Sequence, residues 1–127
     1  MNRILSLAFA AAMLALPGCE STSAPAAADV NQAKQTLERA LTAWAKGTTV
    51  AAIKGESPSI VISDPRWERG DVLKKYEIKS DGKPSGAEQV FTVALWFDDP
   101  KSGKEVSETV SYRVGTNPML TVFRALF

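Results

Sequence analysis

The chain has 127 residues, with 15 lysines and arginines against 14 aspartates and glutamates, and it contains no histidine. Without histidine, a Ser-His-Asp or Cys-His nucleophile system, a histidine-based zinc site and a haem held by histidine are all excluded. The balanced charge gives no reason to expect a nucleic acid or an acidic partner. The length fits one compact domain rather than two, and we expect that domain to hold no cofactor and no metal.

Residues 1–18 have the three parts of an export signal. Arg3 supplies a positive charge, residues 4–16 form an uncharged apolar run, and small or turn-forming residues follow. This run is shorter than the roughly twenty apolar residues that a membrane-spanning helix needs. An amphipathic core helix is the alternative, but apolar residues surround the run and leave no polar face. The pattern predicts an exported protein that loses its leader.

The only cysteine lies directly behind this run, in the stretch LPGC of residues 16–19. The stretch resembles the lipobox of bacterial lipoproteins, in which a leucine lies three residues before the cysteine and a small residue precedes it. The resemblance implies cleavage after Gly18 and attachment of a diacylglycerol to Cys19, and Glu20 in the next position favours the outer membrane, facing the periplasm. An ordinary signal cleaved near residues 24–26 would instead discard the cysteine. The expected partners are therefore the membrane, through the lipid, and an unknown envelope protein.

Residues 19–28 carry the cysteine and a small, polar, proline-containing stretch that is typical of a flexible tether. Residues 29–127 then form a single domain. Loss of Arg3 with the leader leaves 14 cationic residues against 14 acidic ones. Because no second cysteine exists, no disulfide can form within the domain, and its core alone has to stabilise it.

A helix is predicted over residues 29–46. Its apolar positions recur at spacings of three and four and so share one face: Val30, Ala33, Leu37, Leu41 and Trp44. Asp29 fits the N-cap, and Gly47 fits the position after the C-cap. A shorter helical turn over residues 48–55 is expected to follow. The apolar face requires something to pack against.

Strand patterns begin at residue 59. Five segments have the composition of β-strands, namely residues 59–63, 71–80, 89–98, 104–114 and 119–127. The third segment is bulky on both faces, which predicts a central strand, and the turn residues 98–104 predict a hairpin after it. In the second segment, simple alternation places Val72, Tyr76 and Ile78 on one face and Leu73 on the other.

One long N-terminal amphipathic helix followed by four to five antiparallel strands predicts an α+β fold, with a curved sheet that buries one face against the helix. This layout resembles cystatin-like and NTF2-like domains over residues 29–127. The chain is also similar to small uncharacterised bacterial lipoproteins that end in segments of the type YRVGTNPMLTVFR. NTF2-like enzymes usually carry two or three helices around a deep pocket, and this chain has room for one long helix and a short one.

The stretch SDPRWERGD, residues 63–71, is the most unusual local sequence. As a recognition loop it would use Trp67 as an aromatic anchor, and Arg66 and Arg69 to grip carboxylates or phosphates. As a plain turn before a strand it would place Trp67 against the core, with surface ion pairs that contribute little stability. If the domain binds a partner, we place the contact at Arg66, Trp67 and Arg69, with Trp67 at least partly exposed.

Two other patterns have a functional and a structural interpretation. Asp98 and Asp99 could supply half of an oxygen-ligand cation site, but a proline-containing hairpin turn explains them as well. Tyr76 with Asp64 or Glu108 would resemble the acid and base pair of ketosteroid-isomerase-like sites, although nothing in the spacing requires them to meet. No residue is assigned a catalytic role on these grounds.

Two functions remain open. The first is a lipid-anchored, non-enzymatic module that binds another envelope component or stabilises an assembly. The second is an NTF2-like domain that binds or transforms a small ligand, which would need an apolar cavity with a few converging polar groups. A pocket lined by the tryptophans and holding a carboxylate would favour the second function, and a filled interface between sheet and helix would favour the first. Trp44, Trp96 and Phe91 either line such a cavity or fill the core.

Overall fold

The structure, a computed structural model, describes residues 26–126. The helices are α1 Val30–Ala45, α2 Val50–Lys54 and α3 Pro65–Glu68. The strands are β1 Ile60–Ser63, β2 Val72–Ile78, β3 Lys83–Ser85, β4 Glu88–Asp98, β5 Glu105–Gly115 and β6 Leu120–Arg124. Together they form a mixed α+β fold in which a curled sheet packs against α1. The predicted leader, Cys19 and most of the predicted tether lie outside the described residues.

Local sequence sets both ends of α1. The Asp29 side chain caps the first turn by accepting a hydrogen bond from a backbone N–H three residues on. At the other end Gly47 has a φ of +90°, and its N–H donates to the Trp44 carbonyl. The next N–H, of Thr48, donates to the Ala43 carbonyl, which completes a Schellman motif. The predicted start and end of this helix are confirmed. Within residues 26–126, no helix has the length and apolarity needed to span a membrane.

The strands follow the order β1-β6-β5-β4-β2, and the three-residue β3 pairs with β4 as well. β4 therefore has neighbours on both sides, as predicted for residues 89–98, and it forms the predicted hairpin with β5. The expectation of a wholly antiparallel sheet is wrong, because β1 pairs with β6 in parallel. Alternation along a short strand shows which face is buried, but it carries no information about the direction of a partner strand whose paired residues lie sixty positions away.

Side chains from α1 and one face of the sheet fill the space between them. The buried residues include Leu37, Leu41 and Trp44 from α1, Phe91, Val93, Leu95 and Phe97 from β4, Tyr112 and Val114 from β5, and Val122 from β6. The strand residues alternate along the chain, as expected for one face of a pleated sheet. The predicted packing of Leu37, Leu41 and Trp44 on the sheet is confirmed, whereas Val30, the first residue of the predicted apolar face, is 37% exposed. Phe91 fills the core. Trp96 lies on the opposite face of the sheet, where it pairs with Ser107 on β5. Its ring centroid lies 4.7 Å from Lys75 Nζ.

An irregularity in β2 changes which face of the sheet its first residues occupy, compared with the prediction from simple alternation. The register against β4 shifts between Leu73 and Lys75, so that Lys74 is an extra residue in the strand. Leu73 is 1% exposed and belongs to the core, whereas Val72 is 60% exposed. The expectation that Val72 shares a face with Tyr76 is therefore wrong. Because of the bulge, Tyr76 lies on the same inner face of the sheet as Leu73.

Candidate functional site

A fully buried carboxylate, Asp64, lies where β1 ends and α3 begins. Its Oδ2 accepts a hydrogen bond from the Tyr112 hydroxyl, and its Oδ1 accepts from Arg124 Nε at 3.0 Å and from the Arg66 backbone N–H at 3.0 Å. Three donors offset the cost of removing this charge from water. Burial and the Asp64 carboxylate raise the pKa of Tyr112, so the hydroxyl keeps its proton and acts as a donor. Asp64 thereby fastens α3 to β5 and β6.

Alternating charges continue from Arg124 towards the surface. Arg124 Nη1 lies 2.9 Å from Glu108 Oε1, and the same oxygen lies 3.0 Å from Arg66 Nε. Arg66 Nη1 in turn lies 3.1 Å from Asp71 Oδ2. Arg69 ends the series, with Nη2 at 2.9 Å from that oxygen of Asp71. Sequence segments that lie far apart thus meet in one network whose outermost member is a cation.

Asp71 holds two guanidinium groups at one place. Its Oδ2 accepts hydrogen bonds from Arg66 and from Arg69, and Arg69 Nε lies 3.1 Å from both Asp71 oxygens. The Asp71 side chain is 5% exposed, whereas that of Arg69 is 61% exposed. The Arg66 guanidinium also lies over the Phe97 ring, 4.5 Å from its centroid. The two arginines are therefore held side by side on a buried carboxylate.

The expected exposure of Trp67 is wrong. The residue is 5% exposed, and its ring stacks on Trp44 with the centroids 5.1 Å apart and the planes 1° from parallel. Its Nε1 donates to the Thr48 carbonyl at 2.9 Å, so the indole buries its apolar area and still satisfies its polar atom. The structure thus divides the three predicted contact residues. Arg66 and Arg69 reach the surface, and Trp67 belongs to the core.

An open groove of about 710 Å³ lies beside the stacked indoles, between α2 and the start of β2. We call it the indole groove; its lining includes Trp44, Trp67, Glu68, Asp71 and Val72. The Trp44 Nε1 donates to the Asp71 carbonyl at 2.8 Å and so ties the end of α1 to the start of β2. The space between helix and sheet is filled. The groove is a separate, mainly apolar depression beside two indoles that are only 3% and 5% exposed.

A second open depression, of about 580 Å³, lies between α3 and the turn that joins β4 to β5. We call it the arginine pocket; its lining includes Arg66, Arg69, Asp71, Asp99, Pro100 and Lys101. The Asp99 carboxylate accepts hydrogen bonds from Ser102 Oγ at 2.9 Å and from the Lys101 N–H at 3.2 Å. These donors hold the pKa of Asp99 below its ordinary value. One wall of the pocket therefore carries two arginines. The other wall carries a lysine next to a carboxylate that already accepts two hydrogen bonds within its own turn.

The pairing considered for Tyr76 is wrong. Its hydroxyl lies 2.9 Å from Thr42 Oγ1, where it joins β2 to α1. The tyrosine that meets Asp64 is Tyr112, 48 residues away in the chain, and the arginine that meets it is Arg124, 60 residues away. Sequence reasoning missed both of these residues. The only local signal was the alternation in β5, which places Tyr112 on the apolar face.

The two consecutive aspartates of the β4–β5 turn do not converge on a common point. Asp98 Oδ1 lies 3.5 Å from Lys74 Nζ, while Asp99 bonds within its own turn. Within residues 26–126, no group of three or more acidic, histidine or cysteine side chains could hold a metal ion. The interpretation of these aspartates as part of a hairpin turn therefore explains their positions.

Comparisons of the chain with protein-family models, with curated proteins and with solved structures find no match. Two of the open depressions on the described surface are the largest of those found: the indole groove, which is mainly apolar, and the arginine pocket, which carries charged side chains.

Proposed function

We propose that this chain is a non-enzymatic binding module of the bacterial cell envelope. In this proposal a lipid on Cys19 holds it at the outer membrane, and the arginine pocket contacts another envelope protein. The lipobox-like residues 16–19 support the anchor. The finer fold, one long N-terminal helix wrapped by a curved sheet as in cystatin-like and NTF2-like domains, belongs to the same proposal. The packing of α1 across one sheet face supports it.

The observation that carries the proposal is where the chain enters the domain. The Ala28 N–H donates to the Ala87 carbonyl at 3.0 Å, and Gln89 Nε2 donates to the Ala28 carbonyl at 2.8 Å, so the chain enters at the start of β4. The arginine pocket lies at the other end of β4, beside the turn that follows Asp98. At 3.3 Å per residue, the eleven residues of β4 span about 33 Å. A domain tethered through residues 19–28 would therefore have its attachment point at the end of β4 opposite this pocket, which leaves the pocket free for a partner.

The state of the polar groups around the pocket supports binding rather than catalysis. The carboxylates of Asp64, Asp71 and Glu108 are each bonded to at least one arginine. A general base needs a carboxylate or imidazole within reach of the substrate proton, with a lone pair to accept it. Here these carboxylates are paired with arginines, and the chain has no histidine to act as a general base. A network of this kind positions its arginines.

Replacement of Cys19 by serine tests the anchor. Because the sulfur is the proposed attachment point, Cys19→Ser should release the chain to the soluble fraction or leave it as an uncleaved precursor. Cell fractionation, with the intact mass of the wild-type protein, measures both effects. The neighbouring variant Ser21→Ala should stay at the membrane. Normal cleavage and unchanged membrane retention of Cys19→Ser would contradict the proposal.

A second candidate function is the binding of a small apolar ligand, as in an NTF2-like domain. The observation that favours it is the indole groove, since its size falls in the usual range of ligand sites and its walls are mainly apolar. Titration with the apolar dye N-phenyl-1-naphthylamine distinguishes this candidate. Saturable fluorescence that is lost in Val72→Glu, and retained in Val106→Glu on the wall of the arginine pocket, would support it. Absence of saturable binding would contradict it.

A further inference from the structure

We propose that the arginine pocket binds an oxyanion, a carboxylate or phosphate group, with Arg69 as its main contact. This inference rests on the proposed function, because it names the chemical group that a partner would present to the far end of the domain. Three observations carry it: the donors that the two arginines leave unused, the balance of charge across the pocket, and the exposure of Arg69.

The first observation concerns the guanidinium nitrogens. The bonds among the described residues use Nε and Nη2 of Arg69, and Nε and Nη1 of Arg66. A guanidinium carries five N–H donors in a rigid planar fork. Asp71 orients both arginines. Nη1 of Arg69 and Nη2 of Arg66 do not take part in those bonds, and their N–H groups remain as donors for a ligand. Oriented donors of this kind suit the paired oxygens of a carboxylate or phosphate.

The second observation concerns charge. Arg66 and Arg69 share the single carboxylate of Asp71, and Glu108 divides its charge between Arg66 and Arg124. Lys101 and the ionised Asp99 add one charge of each sign on the opposite wall, so the lining of the pocket carries three cations against two carboxylates. An oxyanion placed between the walls would reduce the repulsion between neighbouring cations.

The third observation concerns access. The buried oxygens of Asp71 face the protein side of the arginines, while 61% of the Arg69 side chain is exposed. The pocket is open and has a volume of about 580 Å³, which leaves room for an anionic group together with the atoms that carry it. A site this open remains solvated, so we expect an isolated anion to bind weakly and a larger partner to add contacts at the rim.

The test is a titration of the purified full chain with sodium phosphate and, separately, with sodium acetate, at constant ionic strength and pH. Nuclear magnetic resonance of the arginine Nε–Hε groups reports binding at each side chain. We expect saturable shifts at Arg69 and Arg66, and none at Arg113, an exposed arginine on the opposite face of the sheet. No saturable shift at Arg69 with either anion, or an equal shift at Arg113, would overturn the proposal.

Three variants sharpen the test. Arg69→Ala should weaken binding at least tenfold, and because its side chain is largely exposed the variant should fold, which circular dichroism checks. Arg113→Ala, the matched control, should leave the affinity unchanged. Asp99→Asn should strengthen binding severalfold, since it removes a negative charge from the pocket wall. Equal affinity in Arg69→Ala and wild type would overturn the proposal, as would weaker binding in Asp99→Asn.

The two anions identify the source of the group. A response to phosphate alone supports a phosphate-bearing ligand, a response to acetate alone supports a carboxylate, and a response to both supports the shared chemistry. The titration uses no membrane and no partner protein. Its failure therefore leaves the anchoring result on Cys19 unaffected, and failure of the anchoring test leaves this titration unaffected.

Discussion

Asp64 is the residue on which the position of both surface arginines depends. Its side chain accepts the first N–H of α3, the hydroxyl of Tyr112 and the guanidinium of Arg124. α3 carries Arg66, and Arg69 follows directly after it. A buried carboxylate with three donors is thus the internal support of the arginine pocket. Removing it would leave a buried hydroxyl and a buried cation short of a partner.

Asp64→Ala should lower the free energy of unfolding by about 3–5 kcal/mol, because it breaks a buried ion pair and removes the acceptor of the Tyr112 hydroxyl and of Arg124 Nε, while Arg124 keeps only Glu108. Urea unfolding measures the change. Asp98→Ala is the control: Asp98 takes part in an exposed ion pair with Lys74, and its loss should cost less than about 1 kcal/mol. Equal losses in the two variants would show that Asp64 has no special structural role.

Tyr112 should make stability depend on pH in the alkaline range. Its pKa is raised in the folded chain above the ordinary value of 10.0, so below about pH 10 the hydroxyl keeps its proton in both the folded and the unfolded state. As the pH rises past 10, the unfolded chain loses this proton before the folded chain does, and stability falls. Unfolding measured from pH 8 to 11 should therefore show a steeper decline in wild type than in Tyr112→Phe. Parallel declines would contradict this account.

The sequence could not reveal the Asp64 network. Asp64 lies within a charged stretch, where a carboxylate is usually solvated, and its side-chain partners are 48 and 60 residues away. Burial of a charge depends on partners that only the tertiary fold brings together. The surface position of Arg66 and Arg69 was predictable from local composition. The burial of Trp67 was one of the two alternatives that the sequence offered, but its stacking partner on α1 was not predictable.

At the scale of elements, local rules describe this chain well where the interactions are local. The caps and apolar spacing of α1 predicted its ends, and the turn residues 98–104 predicted the β4–β5 hairpin. β2 departs from the prediction because Lys74 is an extra residue in the strand. Val72 and Leu73, which precede it, therefore lie on the faces opposite to those predicted. The parallel pairing of β1 also lay beyond local rules, since its partner β6 is the last strand.

The stacked indoles join three elements, and Trp67→Ala tests how much they contribute. Removing a buried tryptophan should cost about 3–5 kcal/mol, because it opens a cavity against Trp44 and loses the bond to the Thr48 carbonyl. Urea unfolding compares it with Trp96→Ala, which removes a half-buried indole from the other face of the sheet. A loss in Trp67→Ala no larger than that in Trp96→Ala would contradict a core role for Trp67.

For the whole molecule, the sheet separates the place where the chain enters from the place where we expect a partner to bind. The entry at Ala28 and the arginine pocket lie at opposite ends of β4. The filled interface between α1 and the sheet makes both ends part of the same packed domain. The sequence predicted a tether and a binding site, but not their placement. That placement depends on the register of β4 against its neighbours.

Site-specific photo-crosslinking in intact cells tests the central claim most directly. A photoreactive residue at Pro100, exposed on the wall of the arginine pocket, should form a crosslink of defined mass with an envelope protein. The crosslink should disappear when Arg69→Ala or Cys19→Ser is added. The same residue at Ser107, exposed on the opposite face of the sheet, should form none. A crosslink from Ser107 equal to that from Pro100, or one that survives Arg69→Ala, would contradict the account.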